Sequence, residues 1–584
     1  MQFYYNKISK HLLFINIIAL FTLPQLNNVH YDPSPSFWAQ ITFAWLSISL
    51  FLITCGSQKK ISIPSITLPL ALFGIYICIQ PLFVHITFIG LSYTTALEML
   101  ICIFLAISVS TFTYNYSIST FVKYLSIGLV IGAIIQSAIG FIQYNNLFKY
   151  FYGIIFYDPT HPNTNIFGHF GQRNHYCHYL SWGTFALIYL FNVKAINKYI
   201  FVPLLCWFMF SITISASRSA FIYFAVATII TLFYLFTHKD NPSKNLFILM
   251  LSASILLVIF EYLYPVMQTM IHHQQVASGL ARLSSEGGET GRRLIEWKKA
   301  IITFQQSPIW GSGLFGYARQ SVYLHHLFPN AELNSGLFTN CHNLILQLLA
   351  ETGIIGTAIV FTGLLYTLKR ILSNISVESI ILLCMASTTI SHSMLEYPMW
   401  YLYFLGPLVI FLSVDKPLKI FNNWIIWVTS IIPVIALIYI IVVNSIIFNR
   451  LVDYLDTPDD LETFQSQTKY LENLTENNVI ASYLAIFTLD SYINIDTKFT
   501  QKTFTTEEQL KYVKKLTDFQ PYPDDMIKLA KLEWNLGNKE QAESLIKVAT
   551  NAYPVYKAGF LNTLHVKKYK ALYNDVKDKK PIKK

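Results

Sequence analysis

A chain of 584 residues that is 53% hydrophobic and 13% charged, with mean hydropathy +0.43, is too apolar to be a soluble protein of its size. Its formal net charge of +10 comes partly from loop lysines and from a basic tail, Lys577 to Lys584, which reads more simply as a solvated end than as a nucleic-acid arm, so no nucleic-acid partner is expected. The seven cysteines form no CxxC pair and lie almost all within or beside apolar runs, as small core residues do.

Thirteen apolar segments are expected, near 12–29, 37–55, 64–84, 88–112, 121–143, 175–191, 199–214, 218–236, 245–263, 342–368, 377–394, 398–414 and 424–448. With the N-terminus in the cytoplasm, Lys7, Lys10, Lys59, Lys60, Lys194, Lys198, Lys239, Lys244, Lys369, Arg370, Lys416 and Lys419 all fall on the inner side. That asymmetry satisfies the positive-inside rule and leaves Lys149, Arg173 and Arg218 on the outer short loops. The same parity puts a 264–340 loop and everything after about 449 outside the cytoplasm, with an uncleaved first span as anchor.

In chain order, Glu98 is the one carboxylate in the first five spans, a minor functional candidate. The outer loop before the sixth span ends Gly168-His169-Phe170-Gly171-Gln172-Arg173-Asn174-His175, concentrating hydrogen-bonding groups at a helix mouth, which suits sugar or phosphate. His175 and His178 at i, i+3 raise a metal reading, but no acidic ligand joins them and no metal site is assigned. Arg218, in the tight turn Ser215-Ala216-Ser217-Arg218-Ser219-Ala220, is read as an anion site.

The large loop carries an amphipathic helix opened by Thr290, in which Arg292 either pairs with Glu296 at i, i+4 or meets an anion. Arg293, Lys298 and Lys299 are read as touching lipid headgroups. The glycine-rich Pro308 to Gly316 lacks the Lys-Ser/Thr of a P-loop. Asn340 is the expected N-cap of the next helix, with Asn343 as its weak capping-box partner. His342 then sits in a first turn at the membrane surface, where the helix dipole favours a neutral base. Cys341 beside it lacks a second acid–base partner and is read as core. Tyr397, next to Glu396 and ahead of the turn at Pro398, is given a polar role within an aromatic belt. Beyond Asn449 the chain turns charged and helical, and Tyr522 to Pro554 fits one tetratricopeptide-like unit, with Ala530, Gly537, Ala542, Ile546, Ala549 and Pro554 in register.

Five motifs, GHFGQRNH (168–175), SASRSA (215–220), TGRRLIEW (290–297), CHNLILQLLAETG (341–353) and HSMLEYPMWYLYF (392–404), together resemble the O-antigen ligase and polymerase superfamily. The resemblance is closest to its bacterial protein O-oligosaccharyltransferases, the PglL-type enzymes. It implies an all-α polytopic membrane protein of about 13 transmembrane helices, GT-C-like, comprising a ligase-like domain (1–449) with a large periplasmic loop (264–340) and a periplasmic TPR-like domain (450–584). The implied place is the bacterial inner membrane with the site facing the periplasm.

The partners implied are an undecaprenyl-pyrophosphate-linked oligosaccharide, an acceptor protein such as a type IV pilin, and membrane lipids. Carried over by motif, Arg218 and Arg292 hold the pyrophosphate and His342 is the catalytic base. Gln172, Arg173, Asn174, His175, Asn343 and Tyr397 fall in the substrate-binding motifs. Two arginines can replace a metal at the leaving group, so no metal or other cofactor is expected. A lipopolysaccharide O-antigen ligase or polymerase, and a transporter of lipid-linked sugar, are the competing readings; paired broken helices, the mark of the latter, are not evident.

Overall fold

In hydrocarbon a backbone must satisfy its own N–H and C=O groups, so long apolar runs become helices. The computed structural model describes residues 2–161, 163–272, 288–328 and 336–577. The membrane part comprises α1 (Gln2–Leu20), α2 (Phe37–Ser57), α3 (Thr67–Ile79), α4 (Ile89–Asn115), α5 (Ile118–Tyr144), α6 (Arg173–Asn192), α7 (Lys198–Ile214), α8 (Ser219–His238) and α9 (Asn241–His272). The large loop contributes α10 (Gly288–Gln306) and α11 (Tyr317–Tyr323), and its stretches 273–287 and 329–335 lie outside the described residues. There follow α12 (Leu344–Leu372), α13 (Val377–Ser393), α14 (Leu402–Leu412) and α15 (Asn423–Asp453).

Among the described residues, seven helices are long and apolar enough to cross a membrane: α2, α4, α5, α8, α9, α12 and α15. The remaining six of the thirteen apolar segments are also helical but shorter or less apolar. For example, α3 has 13 residues and α14 has 11, about 20 and 17 Å at 1.5 Å per residue, against a hydrocarbon core of about 30 Å.

One element departs from an all-α chain. Lys60–Ile63 (β1) and Lys419–Asn422 (β2) pair antiparallel, Lys60 opposite Asn422 and Ile63 opposite Lys419. The pairing gives partners to backbone groups between helices, and it is anchored where Arg370 Nε donates to Asp415 at 2.7 Å. The ribbon therefore lies at the end of α12 opposite His342.

Helix α12 is not one rod. Gly353 breaks it with φ +61° and ψ −165°, and a Cβ there would lie 2.3 Å from the Ile309 carbonyl oxygen, so only glycine fits. The glycine-rich loop 308–316 uses the break: Ser312 N–H donates to Ala350 O at 2.8 Å, Gly313 N–H to Glu351 O at 3.1 Å, and Ile354 N–H to Pro308 O at 2.9 Å. Gln80 Nε2 donates to both Trp310 O and Glu351 O at 2.7 Å. The loop is thus a strap that satisfies a broken helix.

The C-terminal part holds α16 (Leu461–Asn477), α17 (Ser482–Tyr492), α18 (Lys498–Thr503), α19 (Thr506–Phe519), α20 (Pro523–Asn535), α21 (Lys539–Ala552), α22 (Lys557–Leu564) and α23 (Lys570–Lys577). Helices α20 and α21 form a hairpin that turns at Gly537, φ +87°, with Ala530, Ala542, Ile546 and Ala549 fully buried. The core of this part also takes in Phe88, Leu91, Val322 and Phe448. It is therefore packed onto α4, α11 and the end of α15, which runs on to Asp453 rather than stopping near 449.

Candidate functional site

Asn343 rather than Asn340 caps α12, its Oδ1 accepting from Leu346 N–H at 3.1 Å. That places His342 just before the helix, in a left-handed conformation at φ +56°. The strained position swings the ring off the helix axis towards the loop after α13. Its Nδ1 lies 3.0 Å from Glu396 Oε2 and 3.3 Å from Leu395 O. A carboxylate, more than the helix end, thus sets this histidine's surroundings.

Glu396 is the hub of the site. Its Oε1 accepts from Asn174 Nδ2 and from Arg293 Nη2, each at 3.3 Å. Asn174 Oδ1 in turn accepts from Ser217 Oγ at 2.7 Å. All five sequence motifs therefore meet within one hydrogen-bonded chain. Burial of the Glu396 carboxyl pushes its pKa up, but the hydrogen bond and charge of His342, with Arg293 and His175, outweigh this and hold it below the ordinary glutamate value. It is an anion that fixes a histidine by its Nδ1–H, leaving Nε2 to accept a proton.

The two neighbouring arginines divide. Consecutive helical residues point about 100° apart, so Arg293 reaches Glu396 while the Arg292 guanidinium stacks 3.7 Å above the Phe338 ring. The Phe338 ring is itself 5.6 Å from that of His342. Arg293 therefore belongs to the site and not to lipid headgroups. Lys299 is likewise inward, 2.7 Å from Glu296 with both side chains almost fully buried. Glu296 also accepts from Tyr317 and Ser321 at 2.8 and 2.7 Å, so it is held by these three rather than by Arg292. This network fixes α10, which continues back through Thr290 to Gly288.

Of the other sequence candidates, Tyr397 packs edge-on against His342 with ring centroids 5.7 Å apart. Gln172, His175 and Tyr397 line one cavity of about 440 Å³. The buried His175 ring lies among Tyr401, Phe404 and His392. Arg173 opens α6, and Arg218, half-buried, precedes α8 one residue on from Ser217. Asn343 uses its side chain on the cap. Cys341 is buried, its thiol pushed up by burial, and donates to Asn343 O at 3.4 Å. Among the described residues no group of three or more His, Cys, Asp or Glu could hold a metal ion. A second, apolar cavity of about 350 Å³ opens beside the site between α3, α4 and α12, lined in part by Leu344, Leu348, Met394 and Trp400, with Glu98 on its wall.

Glu396 and Arg293 are the members of this hydrogen-bonded cluster to which the sequence reading gave no place in the site. A signal existed for Glu396: it is the single acidic residue between Glu378 and Asp415.

A helical membrane bundle with a histidine–carboxylate pair, adjoining arginines and an apolar cavity has the layout of a polytopic membrane ligase. Comparison with known families agrees: residues 184–361 match the O-antigen ligase family, residues 381–564 the C-terminal region of virulence factor membrane-bound polymerases, and residues 166–191 the protein glycosylation ligase family. Over these stretches the chain is thus similar to O-antigen ligases and protein glycosylation ligases. It is 28% identical over 286 residues to a general O-oligosaccharyltransferase of Acinetobacter baylyi (strain ATCC 33305 / BD413 / ADP1). That match covers 47% of this chain and 47% of the relative, about half the length of each.

Proposed function

We propose that the protein transfers an oligosaccharide en bloc from undecaprenyl pyrophosphate to Ser or Thr hydroxyls of exported proteins such as a type IV pilin, at the outer face of the bacterial inner membrane. The observation that carries this reading is the Glu396–His342 pair joined to Arg293 and Asn174. The acceptor hydroxyl attacks the anomeric carbon, and its proton passes to His342 Nε2. The bond from that carbon to the pyrophosphate oxygen breaks, and the lipid pyrophosphate leaves with the electron pair. Glu396 stabilises the imidazolium that forms, as the carboxylate of a catalytic triad does. Arg218 and Arg292 serve the departing pyrophosphate, where bidentate contacts are strongest. The apolar cavity beside Leu344 and Met394 is suited to the polyprenyl chain. The docked C-terminal helices offer a surface for a protein acceptor.

General base catalysis contributes roughly 10²–10⁴-fold. Wild type and His342→Ala, brought to equal membrane levels in cells with a lipid-linked glycan pathway and a pilin, are compared by intact pilin mass. A glycan-sized increase in wild type that vanishes in the variant supports the reading. Normal glycosylation by the variant removes His342 as base, and O-antigen on lipopolysaccharide with unmodified pilin makes the protein an O-antigen ligase instead.

A further inference from the structure

The cavity of about 440 Å³ has a second wall that the reaction above does not use. Gln25, after α1, is buried, and neither its Oε1 nor its Nε2 has a hydrogen-bond partner among the described residues. His169 is buried too, its Nδ1 3.1 Å from Leu26 O, which leaves Nε2 as an unpartnered acceptor. His30 Nε2 and Gln172 Oε1 are also without partners, and the His30 ring stacks on Phe156 at 4.1 Å.

Leaving a buried polar group unsatisfied costs about 1–3 kcal/mol, so four such side chains around one cavity must be held open by something else. Two glutamines on one face of α5 do this. Gln136 Nε2 donates to Gln25 O while its Oε1 accepts from His169 N–H at 3.0 Å. Gln143 Nε2 donates to Phe156 O and Gly168 O at 2.7 Å, and its Oε1 accepts from Phe167 and Gly168 N–H at 3.1 and 2.9 Å. Backbone groups of both walls are thus tied to α5, and the side-chain tips named above are left without partners among the described residues.

The lining includes no Asp, Glu, Lys or Arg, and burial lowers the pKa of both His30 and His169, keeping them neutral. Such a site suits a ligand with many hydroxyls and no charge. The flat rings of Phe156, Tyr401 and Tyr403 offer apolar faces to a pyranose. Tyr397 forms the boundary with His342.

We propose that this cavity is a saccharide subsite, taking the sugar of the lipid-linked donor nearest the pyrophosphate, with Gln25, His30, His169 and Gln172 bonding its hydroxyl or amide groups. The assignment rests on the proposed function. Its test uses the full chain in lipid nanodiscs with two probes, undecaprenyl pyrophosphate bearing one N-acetylglucosamine and the same lipid without sugar. Dissociation constants are measured for wild type, Gln25→Leu and His30→Phe, the last keeping the stack on Phe156, with melting temperatures as a check of fold.

Wild type is expected to prefer the glycosylated lipid, and each variant to lose roughly tenfold of that preference, the worth of about one buried hydrogen bond. Affinity for the bare lipid stays unchanged. The subsite is overturned if wild type binds both lipids equally, if both weaken together in the variants, or if no variant shifts the preference, as for a water-filled cavity. Binding of neither lipid by wild type removes the lipid-linked-donor reading and the subsite with it.

Discussion

The two sides of Tyr397 are built on opposite rules. On the His342 side the buried carboxylate already has its partners: Glu396 accepts from His342, Arg293 and Asn174. On the Gln25 side the lining carries no Asp, Glu, Lys or Arg, and the tips of Gln25, His30, His169 and Gln172 hold polar atoms without a partner among the described residues. A charge buried without a partner is far more costly than a buried amide in the same state, so the charged half must be complete before any ligand arrives. The neutral half can wait for one. The contrast separates chemistry from recognition, and it makes distinct demands on substitutions.

The largest effect is expected from Glu396→Gln, which keeps size and one acceptor oxygen but removes the anion and puts an NH2 donor in place of the other oxygen. Changing the carboxylate that orients a catalytic histidine to its amide costs roughly 10⁴-fold in a catalytic triad. The turnover rate should fall by that factor with little change in donor affinity. A variant that instead loses donor binding at full turnover would place Glu396 in recognition and erase the contrast. Gln136→Leu, which touches neither half directly, should be smaller and structural. It strips partners from the Gln25 carbonyl and the His169 amide, so about 1–3 kcal/mol of stability is expected to go, read as a lower melting temperature. An unchanged melting point would mean the neutral wall holds itself open.

The smallest effect is in acid. The pKa of Glu396 lies below its unfolded value in the folded protein, so the unfolded chain takes up this proton first as pH falls. Its contribution is complete above the ordinary glutamate value of about 4.3 and is lost as pH drops through the folded value. The wild-type melting temperature should therefore fall more steeply than that of Glu396→Gln below that point. Parallel curves would mean that the pair adds nothing to folding.

Much of the charged half was legible because motifs name positions: Asn174, His342 and Tyr397 all meet there. What could not be read were contacts between distant segments. Arg292 and Arg293 are equivalent on a sequence, and only a packed helix decides which one faces Glu396. Asn340 and Asn343 are both good caps, and the left-handed turn at His342 selects the second. The 308–316 loop resembles a ligand loop until the break at Gly353 shows what it binds. Glu396 was overshadowed by the aromatic run that follows it. Gln136 and Gln143 read as polar residues in an apolar helix, with nothing to say which loops they hold. The apolar segments predicted helices at the correct places, but their number says little about crossings when α3 and α14 are so short.

The pairing of Lys60–Ile63 with Lys419–Asn422 also governs the order of assembly. A strand made early must remain unpaired while several hundred further residues are synthesised, tens of seconds at roughly 5–20 residues per second. The early helices thus enter the bilayer before the tie exists, and it can form only once the chain just ahead of α15 has been made.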